Sequence, residues 1–265
     1  MKDDIRIRRH VSAHYTLNTL SPLLAILIAA TAKPAAAAIL VLAAILAWAA
    51  YVALDGAEFN RGRPDREYAT NAWLLRTMRA YLDVTLHRAS SVEEQLMSRN
   101  KERGGQAIFA FFPHGVNRDF RILMDGMMYS AFRRVWSTAP ARTLAATILF
   151  RIPSVRSVAL KTSCVDAGRP TATRLLRDGL SLMLCPGGQD EQIEPIYGRE
   201  RVFLARRAGF VKLALEHGVP LVPAYCFGSS DLYHTSRALH GLRRWLVRNL
   251  RVAIPLYWGD WGFFC

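Results

Sequence analysis

The stretch Ala107–Asp119, AIFAFFPHGVNRD, decides how the rest of the chain is read. Six apolar residues in a row, 107–112, are too few for a two-faced surface helix and suit a strand buried on both sides. Pro113-His114-Gly115 breaks the run at once, so His114 directly follows a strand end. Open α/β sheets place their reactive groups there. The same pattern returns downstream. Leu180–Cys185 (LSLMLC) is a predicted strand ending at Pro186-Gly187-Gly188, and Val219–Phe227 (VPLVPAYCF) is another. Leu144–Leu149 and Ser157–Leu160 are weaker strand candidates, and Val252–Trp258 is expected as the last strand. Pro170–Asp178, Arg201–Glu216 and Ala238–Leu250 have helical character, the second predicted to stop at Gly218 as its C-cap. This alternation implies an α/β fold: a mostly parallel sheet flanked by helices on both faces.

Upstream, residues 69–99 carry apolar residues at helical spacing. Trp73, Met78, Tyr81 and Leu82 alternate with Arg76, Arg79 and Arg88. Such a basic amphipathic helix packs on a domain, lies at a membrane surface, or does both. Pro34 to Leu54 contains no charge, which covers the roughly 20 residues needed to cross a hydrocarbon core. A shorter apolar stretch, Thr16–Ala32, is set off by Lys33-Pro34, which reads as a turn between two membrane helices. Lys2, Arg6, Arg8 and Arg9 precede the pair, and Arg61, Arg63 and Arg66 follow it. The positive-inside bias then puts both ends in the cytosol and makes a helical hairpin. A single span preceded by an interfacial helix is the competing reading. The expected organisation is a basic segment and hairpin over 1–60 and a folded domain over 61–265.

Composition bounds the function. A chain of 265 residues, 51% hydrophobic and 21% charged, is not disordered and holds one α/β domain with an appendage. Thirty-five Lys+Arg against 21 Asp+Glu give +14, which points to a polyanionic partner. Nucleic acid is disfavoured, because the arginines are scattered and no aromatic stacking platform or recognition helix accompanies them. Anionic headgroups and phosphorylated ligands remain, and a non-catalytic membrane-binding protein is the alternative class. The four cysteines, Cys164, Cys185, Cys226 and Cys265, are dispersed without a CxxC, which argues for reduced thiols and against a zinc site.

Three segments carry candidate chemistry. His114 and Asp119 are spaced His-x4-Asp. A helix starting near Asn117 as N-cap would put Asp119 in its first turn, where a carboxylate fixes the imidazole tautomer and stabilises the imidazolium. Without a Gly-x-Ser-x-Gly elbow, a cysteine beside a histidine, a Walker loop or a dinucleotide fingerprint, the economical mechanism is activation of a hydroxyl for direct attack on an acyl donor. Cys185–Glu191 (CPGGQDE) follows a strand with two glycines, whose amides suit an oxyanion or phosphate, or else form a plain tight turn. Arg206–Lys212 (RRAGFVK) is a basic helix start, or a solvated face.

In this order and spacing the three segments resemble the type-2 diacylglycerol acyltransferase family, which includes monoacylglycerol and wax-alcohol acyltransferases. FAFFPHG looks like that family's YxFGYHPHG, and CPGGQDE like its GGxxE segment. RRAGFVKLALEHGVPLVPAYCFGSSDLY, residues 206–233, looks like RKGFVKLALxxGxxLVPxYxFGExxxY nearly position for position. The family is similar in core to the His-x4-Asp glycerolipid acyltransferases, so the resemblance implies a glycerolipid acyltransferase-like fold. It implies His114 as the catalytic base with Asp119, and Pro113, Gly115, Gly187, Gly188, Glu191, Arg207, Gly209 and Lys212 as substrate-binding positions. Acyl-CoA is the implied co-substrate, with no other cofactor and no metal. The implied reaction is acyl transfer to a lipid hydroxyl, above all diacylglycerol, in the endoplasmic reticulum membrane with the catalytic domain cytosolic. Monoacylglycerol, wax-alcohol or lysophospholipid acyl transfer, or a degenerate lipid-binding member, are the alternatives. Phe112 stands where the family has the first His of HPHG. The family pattern continues past the motif of Cys265 with a further strand and helix, so truncation at the C-terminus is an expectation.

Overall fold

The computed structural model describes residues 34–116, 119–194, 196–204, 207–250 and 252–259, with the side chains of 119–122 left aside. In chain order the helices are α1 (Pro34–Asp55), α2 (Arg66–Asn71), α3 (Trp73–Tyr81), α4 (Val92–Arg99), α5 (Asp119–Ala131), α6 (Arg133–Thr138), α7 (Pro153–Lys161), α8 (Arg169–Arg177), α9 (Gly188–Gln192), α10 (Gly209–His217) and α11 (His240–Leu250). The strands are β1 (Ile108–Phe112), β2 (Ala141–Ala145), β3 (Cys164–Asp166), β4 (Ser181–Leu184), β5 (Leu221–Tyr225), β6 (His234–Thr235) and β7 (Tyr257–Trp258).

Five strands form one sheet in the order β3-β2-β4-β1-β5, every pair parallel. Ala110 sits opposite Leu184 on one side and Pro223 on the other. The strand period of two divides β1 between two cores. Phe109 and Phe111 face an aromatic layer with Met128, Phe132 and Trp136, whose rings lie 5.0 Å (Phe132) and 5.4 Å (Trp136) from Phe109. Ile108 and Ala110 face an aliphatic layer with Leu175, Leu182 and Leu213. Each such fully buried side chain contributes about 1.5–3 kcal/mol, which is why a strand this short can be central. β5 is the open edge. Cys226 N donates inward to Phe112 O at 2.7 Å, so by alternation residue 223 turns its nitrogen outward, and Pro223 removes a donor from that edge.

Several expectations need correction. Residues 69–99 do not form one helix: Ala72, with ψ 129°, breaks α2 from α3, and Asp83, with a positive φ, and the irregular segment after it separate α3 from α4. Leu144–Leu149 is the end of β2 plus a 3-10 turn at Thr147–Phe150, and Ser157–Leu160 lies in α7, which Pro153 starts. Arg201–Leu204 has no regular secondary structure, and the helix begins only at Gly209. Val252–Trp258 shrinks to β7, antiparallel to β6 in a separate two-stranded sheet. β3 was not foreseen. The C-cap at Gly218, with φ 61°, agrees with expectation. The predicted helix at Thr16–Ala32, and with it the hairpin, lies outside the described residues.

Among the described residues one helix, running from Ala35, is long and apolar enough to cross a membrane. Its last turns are docked onto the domain. Trp48 Nε1 donates to Arg151 O at 2.7 Å, and Val52 is buried. Beyond the helix, Arg156 of α7 is enclosed between Asp55 and Glu58, the latter at 2.8 Å. On the far side α2 crosses α5 closely: a Cβ on Gly126 would fall against the backbone of Ala69 and Thr70. α6 borrows its cap, Glu93 Oε1 accepting from Arg134 N at 2.7 Å.

Candidate active site

β1 and β4 are neighbours, and the chain leaves them for opposite sides of the sheet, β1 toward β2 and β4 toward β5. The crevice outside the carboxyl ends at such a switch point is where α/β sheets bind ligands. Here it is formed by Pro113-His114-Gly115 after β1 and Cys185–Glu191 after β4.

His114 is 2% exposed. Its Nδ1 lies 3.0 Å from Gly115 O. A carbonyl oxygen only accepts, so this contact places the proton on Nδ1 and the lone pair of the neutral ring on Nε2. Gly115 takes a positive φ of 66°, which turns its carbonyl back toward the ring. Asp119 is the first residue of α5; its side chain lies outside the description, and so does Asn117, the expected N-cap.

Glu191, on the short helix α9, is the partner that spacing alone did not suggest. It is 2% exposed, and its Oε1 accepts from His114 N at 2.6 Å. Its Oε2 accepts weakly from Phe203 N at 3.4 Å. Burial raises this carboxyl above its ordinary value, while the amides of His114, Phe203 and Gly115 act in the opposite sense. One carboxylate thus ties the β1 loop, the β4 loop and the irregular 201–204 segment together. Gly187 is required by it, because a Cβ there would fall on the Glu191 carboxylate. Gly188, with φ 59°, starts α9 in a left-handed conformation.

The third segment reaches the same place. Arg207 pairs with Asp190 on the β4 loop, and the Phe112 and Phe210 rings lie 6.4 Å apart. Gly209 is the first residue of α10. Lys212, one turn on, is exposed and does not line the crevice. The crevice, which encloses only about 20 Å³, is lined by Pro113, Gly115, Val116 and Glu191 together with residues that sequence reasoning passed over: Arg199, Arg201, Phe203, Ser229 and Tyr233. Ser229 Oγ is buried without a hydrogen-bond partner among the described residues. Arg199 and Arg201 form no ion pair among the described residues, unlike Arg207. Only their place beside Gly198 in a charged run, YGRER, could have drawn attention to them.

Neighbouring groups are poor nucleophiles. Burial pushes the Cys226 thiol up to about 11. Tyr225 donates to Glu200 Oε2 at 2.7 Å, which holds the phenol up to about 12. His114 is buried between two residues that line the crevice, Pro113 and Gly115, and is not itself part of the lining.

The sequence profile described as Diacylglycerol acyltransferase matches residues 35–265. Diacylglycerol O-acyltransferase 1 of Eremothecium gossypii is 28% identical over 218 residues, covering 77% of this chain and 45% of the relative. Diacylglycerol O-acyltransferase 2 of Bos taurus is 29% identical over 187 residues, 66% of this chain and 46% of the relative. 2-Acylglycerol O-acyltransferase 1 of Mus musculus is 30% identical over 140 residues, 51% and 42% of the two chains. The chain spans less than half the length of these curated relatives. No solved structure matches.

Proposed function

The chain belongs to the diacylglycerol acyltransferase family, and from that premise we propose that it transfers a fatty acyl group from acyl-CoA to the hydroxyl of diacylglycerol. It works on the endoplasmic reticulum membrane, held there by α1, with the sheet domain in the cytosol. The observation that carries the reading is His114: buried at the carboxyl end of β1, with Nδ1 committed to Gly115 O and Nε2 the basic nitrogen.

In the proposed step Nε2 accepts the acceptor's hydroxyl proton as that oxygen attacks the thioester carbonyl. The tetrahedral intermediate collapses with cleavage of the C–S bond. The departing CoA thiolate recovers the proton from the imidazolium, so ester and free thiol are formed and His114 is again neutral. No covalent enzyme intermediate is needed. Gly115 O already orients the imidazole, so Asp119 is assigned only the electrostatic part of the His-x4-Asp role, stabilising the imidazolium by its charge. Glu191, Gly187 and Gly188 shape the loop beside it. Arg207 steadies that loop through Asp190. Arg199 and Arg201, which line the crevice and form no ion pair among the described residues, receive the phosphates of CoA, while exposed Lys212 of α10 adds positive charge outside it.

Replacement of His114 by Ala tests the assignment in the membrane-reconstituted chain. Acyl transfer is expected to fall by about 10²–10⁴-fold with unfolding temperature and membrane retention unchanged. A loss below tenfold removes His114 from the role. A panel of diacylglycerol, monoacylglycerol, fatty alcohol and lysophosphatidate fixes the acceptor. Monoacylglycerol is the second reading, favoured by the likeness to the mouse 2-acylglycerol enzyme.

A further inference from the structure

β5 lies next to β1 in the sheet, so the loop that follows β5 adjoins the loop of His114. Their register carries on past the strands: Phe112 is opposite Tyr225, and Cys226 N donates to Phe112 O at 2.7 Å. Gly228, with φ 77°, then turns the chain into the 3-10 turn Ser229–Asp231, and Ser229 lines the crevice. Ser229 is only 9% exposed, and its hydroxyl is buried without a hydrogen-bond partner among the described residues. A buried hydroxyl that makes no bond costs stability, so a group from outside the fold is its natural partner.

The polar side chains around it are committed elsewhere. Both oxygens of Glu191 accept from backbone amides, at 2.6 Å from His114 N and 3.4 Å from Phe203 N. Glu200 accepts from the Tyr225 hydroxyl at 2.7 Å and from Gly228 N at 3.4 Å. Ser230 donates to Asp231 Oδ1 at 3.2 Å. Arg199 and Arg201 line the same space and bias it toward electron-rich groups. The enclosed volume, about 20 Å³, suits a single oxygen rather than a headgroup. His114 does not line it, so that oxygen is not the hydroxyl that yields its proton to Nε2. Position 229 is also where this chain departs from the pattern FGExxxY. A carboxylate only accepts at neutral pH, whereas the serine hydroxyl also donates.

We infer that Ser229 is a specificity-determining residue whose hydroxyl donates to an acyl carbonyl oxygen of the substrate. This rests on the acyl-transfer reading, whose substrates carry such an oxygen in the thioester of acyl-CoA and in the esters of diacylglycerol. The test uses the full chain in detergent micelles and two pairs of probes. An S-oxoalkyl-CoA keeps a carbonyl that an S-alkyl-CoA lacks, and neither transfers its chain, so their binding is read without turnover. Diacylglycerol keeps carbonyls that a dialkylglycerol of equal chain length lacks, and kcat/KM for esterification is read. The unmodified chain should favour the carbonyl member of one pair about tenfold. Ser229→Ala should reduce that preference to within about twofold and leave the other pair's ratio unchanged. The pair that responds identifies the donor thioester or the acceptor ester as the source. Ser229→Cys, close in size but a weak donor, should fall between. The unfolding temperature of Ser229→Ala should not drop, because no bond within the fold is lost. Unchanged ratios for both pairs overturn the inference and leave acyl transfer standing. A lowered unfolding temperature, or full preference in the cysteine variant, overturns it equally. If the unmodified chain binds neither CoA analogue and esterifies neither alcohol, the acyl-transfer reading fails and takes the inference with it.

Discussion

The backbone N–H of His114 donates to Oε1 of Glu191 at 2.6 Å, across 77 positions of sequence. The carboxylate does not touch the imidazole; it holds the peptide from which the imidazole projects. Glu191 is therefore a positioning residue, and its effect on chemistry passes through the loop. Glu191→Gln keeps the shape but turns an amide donor toward amide donors. Stability is expected to fall by about 1–3 kcal/mol, with kcat reduced far more than acceptor KM. Urea unfolding and steady-state kinetics in detergent check the two parts. Unchanged kcat with the stability loss present would make Glu191 purely structural.

Gly187 faces the same carboxylate, and the space for a Cβ is already occupied by it. Gly187→Ala is expected to displace Glu191 and reproduce most of the Glu191→Gln defect. The two substitutions should then be non-additive, with a coupling of about 0.5–3 kcal/mol in a double-mutant cycle. Independent, summed effects would show that the close approach is relieved without cost.

Arg156 is buried between Asp55 and Glu58, so removing it strands buried Glu58, while Asp55 keeps its pair with Arg63. Arg156→Met should destabilise by about 3–5 kcal/mol, and adding Glu58→Gln should recover part of the loss. Trp48→Phe is expected to cost much less, about 1 kcal/mol, because only one hydrogen bond to Arg151 O is lost. Thermal unfolding in detergent ranks the three.

Lys161, at the end of α7, has its ammonium over the Tyr68 ring at 5.0 Å, and burial lowers its pKa to about 8 from 10.5. Between those values the folded chain binds fewer protons than the unfolded chain, so stability rises with pH across that window. The penalty is fully present below about 8 and gone by about 10.5. Lys161→Met should lack this rise. The difference in unfolding midpoint between the two chains, followed from pH 7 to pH 10, isolates the contribution; parallel curves would refute it.

Legibility followed the range of the interaction. β1, β4 and β5 were readable because each is a short apolar run closed by Pro or Gly, and Gly218 was readable because a left-handed cap favours glycine. β2 and β3 were not. Ala-Arg-Thr-Leu-Ala and Cys-Val-Asp carry no pattern of their own and become strands by pairing with β4 and with each other. The helix imagined over 69–99 failed because apolar spacing does not register the left-handed turn at Asp83.

By itself the sequence determined the α/β alternation, a charge-free helix from Pro34 to Leu54, and the three loops that hold the candidate chemistry. Those are consequences of hydrophobic period and of Pro and Gly geometry within a few residues. The tertiary structure decided that Glu191 holds the peptide of His114, that Arg207 is committed to Asp190 while Arg199 and Arg201 are left at the crevice, and that α1 is tied through Trp48 to Arg151. Each depends on strand order, which brings β1 beside β4 and sets α7 against α1. Pairwise spacing along the chain contains no term for that order.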